Sequence, residues 1–298
     1  MILVAGATGL LGSEICRKLL EKGLQVRAMV RPTSDATTTG NLQKWGATLL
    51  EADLKDPASL KSACQAVDTV ISTVTTTVRR QEGDTIERVD LQGQLDLLNA
   101  AVSSGVKHFI YLSYSGNMSK DSPLTTAKRT MEQRLKESGM TYTILRPSYF
   151  MEVWLGPALG FDYASGKVQI FGNGQNKISF VSLMDVALYA VEAAGNPAAR
   201  NTTINIGGPE EISPNKVVGT FEELSGRKFD ITYVPEEALE AQYAAASDSL
   251  QKSFTGLMLN YCQGDQLDIE KTLKDFPVRL TGIRDYAARA LAVSSSIR

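Results

Sequence analysis

The chain is poor in the residues that metal centres and many hydrolases need. A single histidine, His108, leaves most zinc chemistry without its ligands. Its place at the start of an expected strand, away from the carboxyl ends where α/β sites form, removes it from a Ser-His-Asp triad. A structural or surface role is expected for it. The three cysteines, Cys16, Cys64 and Cys262, are scattered without metal-ligand spacing and read as reduced thiols, with no metal site expected. No apolar run approaches the ~20 residues of a membrane span. The net charge of −2 offers no electrostatic case for nucleic acid or an acidic membrane surface. Internal repeats, low-complexity tracts and independent linkers are also missing. The first apolar run enters the fold at once, with no room for a signal peptide, so a cytoplasmic protein is expected.

What the chain has is a glycine turn near its start. Ile2 to Ala5 is apolar, Gly6, Gly9 and Gly12 follow at three-residue intervals, and Ile15, Leu19 and Leu20 then fall on one helical face. This reads as a buried strand, a tight turn and the first turns of a helix. Such a turn aims unpaired backbone N–H groups and the positive end of the helix dipole at a diphosphate. Gly6 permits the turn, Gly9 allows backbone to approach the phosphates, and Gly12 allows close helix–strand packing. With Ala7, Thr8, Leu10 and Leu11, these residues are the expected dinucleotide loop.

The next strand, residues 25–30, ends in Val30-Arg31 where an NAD-binding chain usually carries a carboxylate. Arg31 instead suits a 2′-phosphate through its planar fork, so NADP(H) is the expected cofactor. Residues 33–40 read as a polar stretch leading to a short helix around residues 41–45, and residues 47–54 as a third strand. Asp56-Pro57 opens a helix. Residues 69–74 form a β-branched buried strand whose end, with Ser72, Thr73 and Val74, should border the ribose and phosphates. Residues 76–84, including Arg79-Arg80, read as a loop beside the site entrance, and residues 86–103 as one long helix. A fifth strand ends at Ser113-Tyr114-Ser115, a helix carries Lys128, and a sixth strand precedes Pro147-Ser148-Tyr149. This βα alternation predicts an α/β fold, a Rossmann-like doubly wound parallel sheet with a smaller C-terminal substrate lobe. The expected boundaries are 1–148, with 178–207 returning to it, for the dinucleotide-binding domain, and 149–177 with 208–298 for the substrate lobe.

The string Gly-Ala-Thr-Gly at residues 6–9, Ser113, Lys128 and the Arg-Pro-x-x-Phe-Met segment at residues 146–151 resemble the short-chain dehydrogenase/reductase superfamily. Within it they resemble the atypical branch that includes NmrA-like, isoflavone-reductase-like and quinone-reductase-like proteins. The resemblance implies that Asp53-Leu54 lies over the adenine, although Asp53 also suits a helix cap. It implies a catalytic lysine at Lys128 that holds the ribose. The usual tyrosine four residues earlier is Leu124 here, which puts the ordinary proton donor out of play. Ser113 or Tyr114 then hydrogen-bonds a carbonyl substrate, Pro147-Ser148 holds the carboxamide, and Tyr149 covers the nicotinamide. Packing is an equal alternative for Tyr114 and Tyr149.

After the sixth strand, residues 168–174 read as a strand and turn, and residues 178–187 as a strand entering a helix capped by Ser182. Ser213-Pro214 opens a further helix. Residues 241–246 with Phe254, Leu257, Met258 and Tyr261 read as an apolar helical wall. The leading expectation is an NADPH-dependent reductase of a small conjugated or aromatic compound, working as a monomer or homodimer. The alternative is an NADP(H)-sensing regulatory or partner-binding protein without turnover. A sugar-nucleotide epimerase ranks last, since the missing tyrosine is the base that chemistry requires.

Overall fold

The computed structural model describes residues 1–78 and 80–296; Arg79, half of the basic pair expected beside the site, lies outside the described residues. The chain opens with β1 (Ile2–Ala5), α1 (Leu10–Glu21), β2 (Val26–Val30), α2 (Ala36–Lys44), β3 (Thr48–Glu51), α3 (Pro57–Ala63) and β4 (Thr69–Ser72). A π-helical segment, Ile86–Gly93, runs directly into α4 (Gln94–Ser103), and β5 (His108–Leu112), α5 (Pro123–Glu137) and β6 (Thr141–Pro147) follow. Next come α6 (Met151–Trp154), β7 (Phe161–Asp162), β8 (Lys167–Phe171), α7 (Leu183–Gly195) and β9 (Thr202–Ile206). The remaining elements are α8 (Pro214–Ser225), β10 (Asp230–Val234), α9 (Glu236–Ala245), α10 (Ser249–Gln263), α11 (Glu270–Asp275) and α12 (Ile283–Ser296). Among the described residues, no helix is long and apolar enough to cross a membrane.

Two compact units are present. The first comprises Met1–Tyr114, Ser122–Arg146 and Val186–Ile204; the second comprises Ser115–Asp121, Pro147–Asp185 and the described residues from Asn205 on. Seven strands form one sheet in the order β3-β2-β1-β4-β5-β6-β9, and every pairing from β3 to β6 is parallel. This is the Rossmann-like doubly wound arrangement. Chain order reverses between β1 and β4, where Ala5 stands beside Ser72, so the crevice that binds ligands in such sheets opens there. Leu3, Ala5, Val70, Phe109, Tyr111 and Ile144 share a buried core with Leu60, Leu97, Leu98, Met131 and Leu135.

The second unit holds a three-stranded sheet, β10-β8-β7, with β8 parallel to β10 and antiparallel to β7. Its core is aromatic. Trp154 stacks on Tyr261 with ring centroids 5.1 Å apart, and Tyr149 meets both edge-on.

Helix starts follow their caps. Asp56, Ser122 and Ser213 each accept a backbone N–H of the first turn, with proline in that turn. The same rule corrects one expectation. Asp35 accepts from Thr38 N–H at 2.8 Å, so α2 starts at Ala36, inside the polar stretch expected to precede the helix. Residues 86–103 are not one regular helix, because their first half is π-helical. The strand expected after residue 178 is reduced to isolated bridges: Ile178 with Ile212 and Asp265, and Val181 with Phe150. Ala241, Ala244 and Ala245 are exposed, so α9 is no apolar wall.

The three thiols are buried, and burial pushes Cys16 up to about 12 and Cys64 to about 11, which leaves both inert. Thr143 Oγ1 donates to Ala199 O at 2.7 Å, so the His108 Nε2–H, 2.8 Å away, is the donor to that hydroxyl. The imidazole is therefore structural, and burial, with a smaller push from the Arg200 charge, lowers its pKa to about 4. A folded-state value below the unfolded one means the unfolded chain takes up the proton first as pH falls. His108 thus removes stability between about pH 6.5 and 4, by at most about 3 kcal/mol. Thermal unfolding across that window should show a smaller acid loss in His108→Gln than in the unaltered chain.

Candidate functional site

At the end of β1 the chain turns through Gly6, whose φ of +84° lies in the left-handed region that favours glycine. Gly9 N–H donates to Gly6 O at 2.9 Å, and Gly9 is the N-cap of α1, with no side-chain cap. A Cβ on Gly12 would stand 2.1 Å from Gly6 O, and one on Gly6 would stand 2.6 Å from Thr73 Oγ1. Only glycine fits this cradle, and it leaves the first-turn N–H groups of α1 facing the crevice between β1 and β4. The residues present therefore fit a dinucleotide diphosphate. Ala7 is fully buried and Leu11 nearly so, while Leu10 is half exposed.

The end of β2 carries an ion cluster. Arg31 Nη1 donates to Asp84 Oδ2 at 2.8 Å, Lys55 Nζ to Asp84 Oδ1 at 2.6 Å, and Gln81 N–H to Asp84 Oδ2 at 2.8 Å. Burial works against the Asp84 charge, but these three donors outweigh it and hold the carboxyl below its usual range. Arg31 is thus ion-paired within the protein, with its side chain 26 % exposed. Asp53 accepts from Lys55 N–H at 2.8 Å and does not cap α3, since Asp56 does. Leu54 is buried against Gly93, where a Cβ would lie 2.7 Å from Leu54 Cβ.

At the end of β4, Thr73 N–H and Oγ1 both donate to Ala5 O, tying the two strand ends together. Ser72 Oγ donates to Gln94 Oε1 at 2.8 Å, and Gln94 Nε2 to Val74 O at 3.0 Å. Ser72 therefore serves the interior, and the turn that follows is held by the side chains of Gln94 and Asp90. Thr76 donates through N–H (3.1 Å) and Oγ1 (2.7 Å) to Asp90 Oδ2.

β5 and α5 bring the expected chemical residues together. Lys128 is 5 % exposed; its Nζ donates to Leu112 O at 3.0 Å and lies 5.0 Å from the Tyr111 ring centroid. Burial pulls its pKa down, with Asp90 and Glu132 opposing. Ser113 Oγ accepts from Arg129 Nη1 at 3.3 Å. The Tyr114 hydroxyl donates to Thr125 Oγ1 at 2.8 Å, with the Arg129 guanidinium 4.9 Å from the ring centroid. Glu132 Oε1 accepts from Arg129 (2.8 Å) and Arg146 (3.0 Å), and Oε2 from Arg146 again. Burial opposes the Glu132 charge, but Arg146, Ser113 and Arg129 keep its carboxyl below the usual range. Leu124 is buried, so no hydroxyl stands at the usual tyrosine position.

The remaining expected residues belong to the second unit. Pro147 O accepts from Ser115 N–H, and Ser148 N–H donates to Ile206 O. Tyr149 is buried in the aromatic core, and its hydroxyl donates to Leu257 O at 3.1 Å. In the same unit, Ser115 Oγ and Asn117 Nδ2 donate to Asp265 Oδ1 at 2.7 and 2.9 Å. Burial pushes that carboxyl above its usual range despite these donors.

Sequence reading passed over Asp84, Asp90, Arg129, Glu132 and Asp265. Glu132 had a signal, standing four residues from Lys128 and three from Arg129. Asp90 had one as well, since it falls on the apolar stripe Ile86-Val89-Gly93-Leu97. Asp84 and Asp265 pair with residues distant in sequence and had none. Among the described residues, no group of three or more His, Cys, Asp or Glu is arranged to hold a metal ion.

Comparison with known proteins places these features in context. The sequence pattern of the NmrA-like family matches residues 1–286. An NAD(P)H azoreductase of Xenophilus azovorans is 31 % identical over 260 residues, covering 87 % of this chain and 85 % of that protein. The photosystem II assembly factor Ycf39 of Guillardia theta is also 31 % identical, over 80 % of this chain and 74 % of its own length. The crystal structure of the NADPH-dependent quinone oxidoreductase QOR2 of Escherichia coli, complexed with NADPH, superposes with a TM-score of 0.80. Its identity is 23 %, and 98 % of this chain and all of that one are covered.

Gly12→Ala forces a methyl group into Gly6 O. The expected result is a loss of about 2 kcal/mol of stability, the scale of core overpacking. Dinucleotide binding, followed by titration calorimetry, should weaken with it.

Proposed function

The chain belongs to the NmrA-like family, and on that premise we propose that it is an NADPH-dependent reductase of small conjugated or aromatic acceptors, quinones first. One observation carries this reading. The glycine cradle at the β1–β4 crevice lies in the same unit as a buried lysine on α5, Lys128, while Leu124 removes the tyrosine that a simple ketone would require. The NAD(P)H azoreductase relative supports a reductase whose acceptor is a conjugated system.

The bound dinucleotide supplies a hydride, so that a quinone taking up those two electrons and two protons, one with the hydride and one from the protein, leaves as hydroquinone beside NADP⁺. Backbone N–H groups of α1 hold the diphosphate, and Arg31 engages the 2′-phosphate with the part of its fork that Asp84 does not use. Lys128 holds the ribose and gives the proton from its ammonium, whose pKa burial lowers. Ser113 orients the acceptor oxygen. A quinone suits this arrangement because its reduced form disperses charge and needs less acid assistance.

NADPH consumption with a panel of quinones, azo dyes and triphenylmethane dyes tests the reading. Lys128→Met should lower kcat at least ~100-fold, the scale of a lost general acid, with NADPH still bound. Tight NADPH binding without turnover on the whole panel would overturn the reductase and leave the sensor. For cofactor choice, Arg31→Ala should reduce the preference for NADPH over NADH at least tenfold in kcat/KM. An unchanged preference removes Arg31 from the 2′-phosphate site.

A further inference from the structure

The first unit contains buried polar atoms whose hydrogen-bonding capacity is not met. Asp90 is completely buried. Thr76 holds its Oδ2, but Oδ1 is buried without a hydrogen-bond partner among the described residues, and so is the hydroxyl of Tyr111 on β5. Native interiors pair nearly all such groups, so an unmatched carboxylate oxygen calls for a physical reason.

The backbone places Asp90 deliberately. It sits in the π-helical segment, and such segments are uncommon and concentrate at functional positions. Gly93 lets this segment close against the loop after β3, where a Cβ would meet Leu54 Cβ at 2.7 Å and Leu54 O at 2.9 Å. On its other side the segment packs along α5, the helix of Lys128.

The charges that bear on Lys128 are those of Asp90 from the π-helical segment and of Arg129 and Glu132 from α5, and its ammonium lies 5.0 Å from the centroid of the Tyr111 ring on β5. Tyr114, just beyond β5, interacts in turn with Tyr111, Arg129 and Glu132. Burial raises the ionisation range of both tyrosines, so they stay neutral. Glu132 is already matched by two guanidinium groups, those of Arg129 and Arg146. Three cations therefore share two carboxylates, and Asp90 is the carboxylate not already committed to a guanidinium.

We propose that Asp90 is a positioning residue for Lys128: its unpartnered Oδ1 supplies the negative charge that keeps the buried amine an ammonium, and hence a proton donor, at neutral pH. The kinetic consequence rests on the reductase reading; the electrostatic one does not.

The test separates the two. Lysines are labelled with ¹³C at Cε, the Lys128 resonance is identified by its loss in Lys128→Met, and its titration is followed in the full chain. In Asp90→Asn the Lys128 midpoint should fall by about 1–3 units, the effect of losing a nearby opposite charge. The alkaline limb of kcat/KM for quinone reduction should fall with it, while the KM for NADPH holds. Thr76→Val removes a hydrogen bond to the carboxylate but not its charge, and should leave the Lys128 midpoint in place. An unmoved midpoint in folded Asp90→Asn overturns the proposal. A lowered midpoint with an unmoved kinetic limb sustains it and overturns Lys128 as the proton donor. If Asp90→Asn does not fold, the unaltered chain decides. A midpoint below about 7, toward the 5–6 of unsupported buried lysines, overturns the proposal, and a higher one sustains it.

Discussion

Everything in the first unit depends on how closely two backbones approach at the end of β1. Gly6 O lies so near Gly12 that a single methyl group there would stand 2.1 Å from it. That contact brings the start of α1 down onto the sheet and points its N–H groups into the crevice beside β4. Thr73 reinforces it from the other strand by donating twice to Ala5 O. Because the strand order reverses between β1 and β4, the same contact that packs the helix also shapes the crevice in which sheets of this kind bind ligands. Packing and binding are one requirement here, and it falls on backbone atoms more than on side chains.

Around this frame, the first unit contains buried charge in three arrangements of different balance. Asp84 is surrounded by Arg31, Lys55 and a backbone N–H, and Glu132 by two arginines. Both carboxylates stay ionised because their donors outweigh the penalty of burial. Such clusters add little net stability, yet breaking one strands a charge in a low-dielectric interior. Lys128 is the exception: its ammonium donates to the Leu112 carbonyl, and among the described residues no carboxylate forms an ion pair with it. An ammonium left this way is poor for stability and suited to giving up a proton.

The second unit is organised on other principles. Its interior is a set of mutually edge-on and stacked rings, Tyr149, Trp154, Phe171, Phe180 and Tyr261, which bury large areas with few rotatable bonds. Tyr149 belongs to that interior, and its hydroxyl is satisfied by Leu257 O. Asp185, at the start of α7, accepts from Thr281 through both N–H and Oγ1, an architectural use of a first-turn carboxylate.

The doubly wound sheet, the glycine cradle, the capped helix starts and the absence of a tyrosine before Lys128 were all legible in the chain itself. Each is a local pattern: an apolar run, a glycine spacing, a Ser or Asp before proline, or a position four residues from another. The π-helical turn was not legible, because residues 86, 89, 93 and 97 recur at the spacing of an ordinary helix and only the hydrogen-bond register sets the π form apart. Nor were the partners of Arg31, Asp90 and Asp265, which lie 53, 14 and 150 residues away. Sequence alone determined what backbone and hydrophobic period require, namely the sheet, its crevice and the place of the lysine. Tertiary structure decided the electrostatics, because a charge is neutralised by whatever the fold places beside it, whatever its distance along the chain.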